Sequence, residues 1–313
     1  MANTLELGML YALLALGVFL TYRILNFADL TVDGSFTTGA GTAALLITNG
    51  MHPLIGTAAG FVAGSLGGLA TGLLHTKLHI DPLLASILTM IALWSVNLRI
   101  MGKANLSLLN QPTVFTPLAE RGLVSTWWSV GILAALAIAA KLVIDAFLAT
   151  NFGLAVQSTG DNPAMASSLG ISTDTTKIVT LMLANGLVGL SGALIAQLQG
   201  FADIQMGVGL ILVGLASVIV GNAILGTRFM FLASLGVIVG SATYRLVIFF
   251  ALRWDVLSPQ DMKLISATLV VIALVISQSK GIRAFFARIS PWRRSDTVPE
   301  PLLAVPSTGE EEA

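Results

Sequence analysis

The sequence predicts an all-α membrane protein, a polytopic bundle of about nine transmembrane helices. Of its 313 residues, 55% are hydrophobic and only 10% are charged, whereas a soluble domain carries about 25% charged residues. So few charges cannot cover the surface of a water-soluble fold, and this apolar composition also excludes a disordered chain. Ten of the 32 charged residues lie in the last 34 positions. The distribution is typical of a membrane-embedded domain over 1–279 followed by a polar tail over 280–313.

Several classes of function are excluded by composition. The net charge is zero, so no basic surface attracts nucleic acid. The chain has no cysteine, which excludes disulfides, Cys-ligated zinc and iron–sulfur clusters. The three histidines, His52, His75 and His79, are too few and too scattered to indicate a metal site. We therefore expect no metal and no cofactor in this chain, and the lipid bilayer as its surroundings.

Nine segments approach the roughly 20 apolar residues that a spanning helix needs. The second of them is the least apolar because it is rich in Thr and Gly, and a total of eight or ten spans remains compatible with the pattern. The nine segments are 5–22, 35–50, 54–74, 83–101, 127–148, 177–198, 208–225, 229–251 and 264–279.

The Lys and Arg residues indicate the orientation, because cytoplasmic loops carry an excess of them. If the nine spans alternate and the C-terminus is cytoplasmic, nine of the fourteen positive residues in the loops, in the tail and at the span ends face the cytoplasm and five face the opposite side. This arrangement places the loop 149–176 and the tail 280–313 in the cytoplasm, and the loop 102–126 outside.

A short motif indicates an internal repeat. Phe27-Ala28-Asp29-Leu30 recurs 174 residues later as Phe201-Ala202-Asp203-Ile204. The same offset carries the first four predicted spans onto the last four, so the halves are about 5–101 and 177–279, with 127–148 as a connector helix. Because the offset is five spans, the two halves have opposite orientations, as in transporters with inverted repeats. Similar span lengths in any helical membrane protein are the alternative explanation.

Three acidic residues near these motifs are candidates for a translocation path. Asp29, Asp33 and Asp203 lie at or within the predicted membrane boundary, where a carboxylate is costly unless it faces a cavity or a partner. One interpretation is that broken helices carry them along the path. The other is an ordinary loop in which Asp caps the following helix.

Amides within the predicted spans provide further polar groups. We interpret Asn97, Asn185, Gln197 and Asn222 as groups that form hydrogen bonds between helices. Asn185 and Gln197 are also candidates for the translocation path.

Glycines recur at every fourth position along the third predicted span. Such a stripe lets a neighbouring backbone approach closely, and we favour packing within one subunit over a dimer interface. The stripe consists of Gly56, Gly60, Gly64, Gly68 and Gly72.

The loop between the fifth and sixth spans contains a predicted short helix. Asp161-Asn162-Pro163, which follows Gly160, is a helix start signal, and Gly170 is a helix stop signal. Met165 and Leu169 share one face at spacing i, i+4. Such a helix suits docking into a groove of another protein, and a surface loop without function is the alternative.

These residues also resemble a known family. The stretch Gly160–Ile171, with Lys177 and the Gly-rich span that ends at Gln197, resembles the permease subunits of bacterial ABC importers in the ribose-type and branched-chain amino acid permease superfamily. The resemblance continues through Leu210–Gly226 and covers the chain to about residue 280. Leu25–Ser35 looks like the subgroup that imports amino acids, particularly aromatic ones such as tryptophan.

The resemblance implies an assembly in the bacterial inner membrane. A second permease subunit, expected to be a second copy, would complete the path. Two ATP-binding subunits would contact the coupling helix within 152–171, and an extracytoplasmic solute-binding protein would deliver the substrate. The chain itself is expected not to be an enzyme, and it lacks the phosphate-binding motif G-x-x-x-x-G-K-[ST]. Energy must therefore come from a partner or from an ion gradient. An ion-coupled secondary transporter remains the alternative, as does a sugar or nucleoside permease within the ABC class.

Overall fold

The computed structural model describes residues 1–226, 229–253, 267–268 and 271. Within these residues, regular structure is helical apart from two short strands. The elements are α1 (Ala2–Val18), continued by a π-helical segment (Phe19–Ile24), α2 (Thr31–Thr48), α3 (Pro53–Thr76), α4 (Pro82–Met101), β1 (Asn105–Ser107), α5 (Thr116–Glu120), α6 (Trp127–Leu148), α7 (Asn151–Asp161), α8 (Pro163–Ser168), α9 (Thr173–Gln199), β2 (Phe201–Asp203), α10 (Leu210–Leu225) and α11 (Met230–Arg253).

Six helices in the described part of the chain are long and apolar enough to cross a membrane. Counting the π-helical segment with α1, they are α1, α3, α4, α6, α9 and α11. Two further predicted spans coincide with α2 and α10, which do not meet the same measures of length and hydropathy. The ninth predicted span, 264–279, and the tail 280–313 lie almost entirely outside the described residues. The total of nine spans and the inverted repeat therefore remain predictions.

The helix α2 is polar for a membrane helix because it lies inside the bundle. It packs against α3, α4 and α9, and most of its side chains are buried. Its threonine hydroxyls are satisfied within the helix: Thr38 Oγ1 donates to the carbonyl of Gly34 at 2.9 Å, and Thr48 Oγ1 donates to that of Ala44 at 3.0 Å. Polar side chains paired in this way can be buried at low cost.

Among the described helices, α3 and α9 make the most extensive contact, and the glycine stripe lets their backbones approach closely. A Cβ atom at Gly60 would lie 2.8 Å from Ala193 Cβ, and one at Gly72 would lie 3.1 Å from Ile178 Cα. A Cβ atom at Gly64 or Gly68 would collide with a backbone carbonyl of α9. The stripe thus packs within this chain, with Gly56 facing α2 instead.

The bundle has a central layer and a peripheral layer. In α1 and α9, 78% and 72% of the apolar window is buried, whereas α4 and α6 have only 22% and 28% buried. Exposed leucine, isoleucine and valine side chains cover the outer faces of α4 and α6, as expected for helices that meet lipid. The core that positions the site is therefore formed by α1, α2, α3 and α9.

Two irregular segments interrupt the bundle. The first, 25–30, connects α1 to α2 and reaches the middle of α9, since Asp29 contacts Asn185 there. The second, 200–209, connects α9 to α10. It begins with β2, which pairs antiparallel with β1 in the register Asn105 to Asp203, and it ends beside Asp33 in the first turn of α2.

Candidate functional site

A buried acid lies at the centre of the bundle. Asp29 is only 3% exposed. Its Oδ2 accepts a hydrogen bond from Asn185 Nδ2 at 2.7 Å, and its Oδ1 accepts one from the backbone N–H of Thr31 at 2.9 Å. Thr31 in turn shares a 2.6 Å hydroxyl contact with Thr71 of α3. Asp29 therefore accepts a hydrogen bond from the first N–H of α2 and joins the start of this helix to α9.

A second acid, Asp33, joins the starts of two helices. It lies in the first turn of α2, and its carboxylate accepts hydrogen bonds from the N–H groups of Gly209, at 2.6 Å, and Ile211, at 2.9 Å. These N–H groups belong to the N-terminus of α10, where a negative charge is stabilised by the helix dipole. The two helices that follow the Phe-Ala-Asp motifs thus begin close together, with Asp33 between them.

Asp33 also lines a cavity of about 390 Å³ between α2, α4 and the segment before α10. This volume is within the usual range of small-molecule sites. The cavity is lined by Asp33, Gly34, Thr37, Met90, Ile91, Trp94, Ser95, Asn97, Ile204 and Val208.

One residue that lines this cavity, Asn97, has a buried polar atom without a hydrogen-bond partner among the described residues. Asn97 is 2% exposed, its Nδ2 donates to the carbonyl of Gly34 at 3.3 Å, and its Oδ1 is buried without a hydrogen bond. This oxygen has almost no accessible surface, so it is closed off from the cavity, and a buried acceptor in this state is costly.

The remaining path candidates lie elsewhere. Gln197 bridges Thr57, at 2.8 Å from its Nε2, and the N–H of Val114, at 3.0 Å from its Oε1. Asp203 accepts from Asn105 Nδ2 at 3.2 Å at the partly exposed edge of β2. Of the five candidates, only Asp33 lines the cavity. Asp29 and Asn185 form the buried pair, and Gln197 and Asp203 stabilise the segments around β1 and β2.

The sequence pattern did not identify the cavity wall on α4. The sequence predicts that Asn97 forms a hydrogen bond between helices, and its contact with Gly34 of α2 agrees with this prediction. The sequence pattern does not single out Trp94 or Ser95. The available signal was their spacing: Ile91, Trp94 and Ser95 lie at i, i+3 and i+4 on one helical face.

The cytoplasmic loop candidate forms two short helices, α7 and α8. Asn162 caps α8 through a 3.0 Å hydrogen bond from the N–H of Met165 to its Oδ1, Pro163 is the first residue of the helix, and Gly170 follows with φ of +81°. Met165 and Leu169 are 59% and 66% exposed.

The loop contacts the segment that leads to Asp29. A side chain at Gly160 would collide with the carbonyl of Ile24, the last residue of the π-helical segment. On the other side, Thr159 Oγ1 and Thr176 Oγ1 are 3.0 Å apart, which joins α7 to α9. The loop is thus packed between the two elements that hold Asp29 and Asn185.

Comparison with known proteins decides the family. Residues 1–276 match the profile of the permease component of branched-chain amino acid transport systems. The chain belongs to this permease family. The resemblance of its loop and N-terminal motifs to ABC importer permeases is thereby confirmed, and the helical bundle is that of a multi-pass transport permease.

Individual relatives agree with this family. The permease is 40% identical over 276 residues to a tyrosine transport system permease protein of Clostridioides difficile, with 88% of this chain and 90% of the relative covered. It is 31% identical over 219 residues to the inner membrane ABC transporter permease protein YjfF of Escherichia coli, with 67% and 64% covered. Its fold is similar to that of PsaBC from Streptococcus pneumoniae, solved with a Fab, with a TM-score of 0.51, 15% identity and coverage of 91% and 94%.

Proposed function

We propose that this permease moves an amino acid, of the aromatic class that includes tyrosine and tryptophan, inward across the bacterial inner membrane. The observation that carries the proposal is the 40% identity to a tyrosine transport permease over almost the full length of both chains. The motif Leu25–Ser35, which resembles amino acid permeases, includes both Asp29 and Asp33. These two acids are the ones that organise the centre of the bundle.

The energy comes from two separate ATPase subunits that bind the coupling helix α8. Its Met165 and Leu169 are large apolar side chains in water, while the intervening Ala166 is buried. Exposed apolar side chains of this kind mark an interaction site, and aromatic and aliphatic anchors in a partner's pocket dominate binding. Because the loop packs on Ile24 and on α9, a movement of the ATPase would reach Asp29 and Asn185.

The rest of the assembly follows from the same proposal. A second copy of this chain completes the translocation path, and an extracytoplasmic binding protein delivers the amino acid. The loop 149–176 and the tail after Lys280 face the cytoplasm, and the loop 102–126 faces the binding protein.

Uptake by the reconstituted transporter tests the function. The permease, its ATPase and its binding protein are placed in proteoliposomes that hold ATP inside, and entry of radiolabelled tyrosine is measured. We expect uptake that requires hydrolysable ATP and persists when an ionophore removes the ion gradients. Excess tryptophan should compete with tyrosine, whereas ribose and adenosine should not.

Two outcomes would contradict the proposal. Uptake that continues with a non-hydrolysable ATP analogue and stops with the ionophore would identify an ion-coupled secondary transporter. ATP-driven uptake of ribose or adenosine without uptake of any amino acid would identify a sugar or nucleoside permease.

A double substitution tests the coupling helix. Met165→Asp with Leu169→Asp should release the ATPase during purification and abolish uptake, because losing each anchor costs on the order of 2 kcal/mol or more. The matched control is Ser167→Asp with Ser168→Asp, which adds the same charge to exposed positions of the same helix and should retain the ATPase. Normal ATPase binding by the Met165 and Leu169 variant would refute this role of α8.

A further inference from the structure

His75 lies where α3, α9 and the segment that carries Asp29 meet. It belongs to the last turn of α3, and its ring packs edge-on against the ring of Phe27 at a centroid distance of 5.3 Å. Its Nε2 is 3.2 Å from Nζ of Lys177 near the start of α9, one residue after the hydroxyl contact that joins α9 to α7. His75 thus contacts both the helix on which the cytoplasmic loop packs and the segment that leads to Asp29.

The neighbours of the His75 ring determine its protonation state. Nδ1 is 2.8 Å from the carbonyl oxygen of Ile80, and because a carbonyl can only accept a hydrogen bond, Nδ1 must donate. The ammonium group of Lys177 can only donate, so Nε2 must accept. An imidazole that donates through one nitrogen and accepts through the other is neutral. The contact between α3 and α9 at this point therefore requires a neutral His75.

In the described part of the chain, no acid forms an ion pair with His75 or with Lys177. The elements around His75 carry other charged or titratable groups, each of which is exposed or bound elsewhere. These groups are Lys77 and Asp174, which pair with each other at 3.3 Å, His79, which is exposed, Asp81, which caps α4, and Asp29, which is bound by Asn185 and Thr31. A second positive charge beside Lys177 would therefore have no acid paired with it.

A second proton on His75 would break this contact. It would occupy the Nε2 lone pair that accepts from Lys177, and it would place two positive charges side by side, where they repel. The proton and the contact thus exclude each other. Histidine is the side chain that ordinarily changes its charge between pH 5 and 8. Because the ring of Phe27 packs on the same imidazole, a displacement of His75 reaches the segment that carries Asp29.

We propose that His75 is a positioning residue through which cytoplasmic pH controls the coupling of ATP hydrolysis to transport. With a neutral His75, α3, α9 and the segment that carries Asp29 move together when the ATPase acts on the loop. With a protonated His75, α9 moves without this segment, so ATP is hydrolysed without transport and import stops in an acidified cytoplasm. The inference rests on the proposed function, to which it adds a regulation of the same transporter.

The ratio of transport to ATP hydrolysis at two luminal pH values tests this role. Proteoliposomes carry the whole transporter with its ATPase and ATP in the lumen, and the outside pH is held constant. Uptake of radiolabelled tyrosine and release of phosphate are measured together, and dividing one rate by the other removes the pH dependence of the ATPase itself. We expect the tyrosine that enters per ATP hydrolysed to fall at least fivefold when the luminal pH is lowered from about 7.5 to about 5.5.

Three substitutions separate this role from a merely structural one. Glutamine offers a donor and an acceptor and does not titrate, so His75→Gln should keep its ratio within twofold between the two pH values. His79→Gln is the matched control, because this exposed histidine follows in the adjacent loop, and it should show the same fall as the unsubstituted protein. Lys177→Met removes the partner at every pH, so its ratio should be low at both values.

The outcomes separate this inference from the proposed function. A ratio that does not change with luminal pH in the unsubstituted transporter would overturn the inference, and this comparison is decisive even if no variant folds. The same fall in His75→Gln, or a high ratio that falls with pH in Lys177→Met, would overturn it as well. Absence of ATP-driven uptake of any amino acid at the higher luminal pH would instead overturn the proposed function, on which the inference rests.

Discussion

The two Phe-Ala-Asp segments share two local backbone features but lie in different surroundings. Each follows a residue in the left-handed conformation, Asn26 with φ of +53° and Gly200 with φ of +80°. In each, the Asp carboxylate accepts a hydrogen bond from the N–H two residues later, at 2.9 Å for Asp29 and 2.8 Å for Asp203. The tripeptide therefore specifies a similar turn before α2 and before α10.

The surroundings differ because the two segments pack against different elements of the bundle. In the first segment, Phe27 is buried with its ring 5.3 Å from that of His75 in α3, and Asp29 accepts a hydrogen bond from Asn185 in the middle of α9. The second segment meets β1, so Phe201 is 39% exposed. Phe and Asp of the tripeptide are thus buried before α2 and partly or fully exposed in β2, whereas the central Ala is exposed in the first segment and buried in the second.

This difference shows what a membrane bundle requires of a buried acid. Removing a carboxylate from water is expensive unless its oxygens are paired, and Asp29 has an amide from α9 and a backbone N–H. Asp203 is partly exposed, and solvent can replace its partners. We expect equal substitutions in the two segments to have unequal effects.

The largest effect is expected for Asp29→Ala. The substitution leaves the N–H of Thr31 and one hydrogen of Asn185 Nδ2 without a partner inside the bundle, at about 1–3 kcal/mol for each buried group. We expect a strong loss of monodisperse protein in size-exclusion chromatography and a lower midpoint of thermal unfolding in detergent.

Asp203→Ala is the matched comparison for Asp29→Ala. It removes the same carboxylate from the same tripeptide, and its yield and unfolding midpoint should stay close to those of the unsubstituted protein. Equal destabilisation by the two substitutions would contradict the distinction between the core segment and the surface strand.

An intermediate effect is expected for Gly64→Leu, which acts on the helix pair behind Asp29. A side chain at Gly64 collides with the carbonyl of Asn185, so α3 must move away from α9, and overpacking of this kind costs about 1–3 kcal/mol. The unfolding midpoint should fall clearly. Gly131→Leu in α6 is the control, because no atom lies within 4 Å of a Cβ there, and it should leave the midpoint unchanged. An unchanged unfolding midpoint for the Gly64→Leu protein would show that α3 and α9 can move apart without loss of stability.

The apolar stretches predicted the positions of the described long helices, because the bilayer requires a minimum length of apolar chain. The predicted starts of α2 and α9 were both four residues late, since the helices begin at Thr31 rather than at 35 and at Thr173 rather than at 177. In α2 the Asp29 carboxylate accepts a hydrogen bond from the first N–H of the helix. The helix α7 was not predicted, and its cap by Thr150, which accepts from the N–H of Gly153 at 3.1 Å, is a local signal that could have revealed it.

The candidate site could be predicted only in part. Acids next to a helix break indicated Asp29 and Asp33 because an unpaired carboxylate in a membrane is costly. The role of Asn97 depends on the distant Gly34, whose carbonyl accepts a hydrogen bond from the amide nitrogen and so joins α4 to α2. The position of Gln197 away from the cavity likewise depends on Thr57 and Val114. Such pairings arise from tertiary packing, which spacing along one helix does not specify.

The smallest effect is expected for Asn105→Ala, which tests the second segment from its partner strand. The 3.2 Å hydrogen bond from Asn105 Nδ2 to Asp203 is exposed, and the backbone pairing of β1 with β2 does not depend on it. Surface substitutions of this kind usually change stability by less than about 0.5 kcal/mol, so the unfolding midpoint should be unchanged within error. The counterpart in the first segment is Asn185→Ala, which removes the amide partner of Asp29 and should destabilise the protein clearly. If Asn105→Ala were as harmful as Asn185→Ala, the pairing of β1 with β2 would have to be as essential to the bundle as the buried contact between Asp29 and α9.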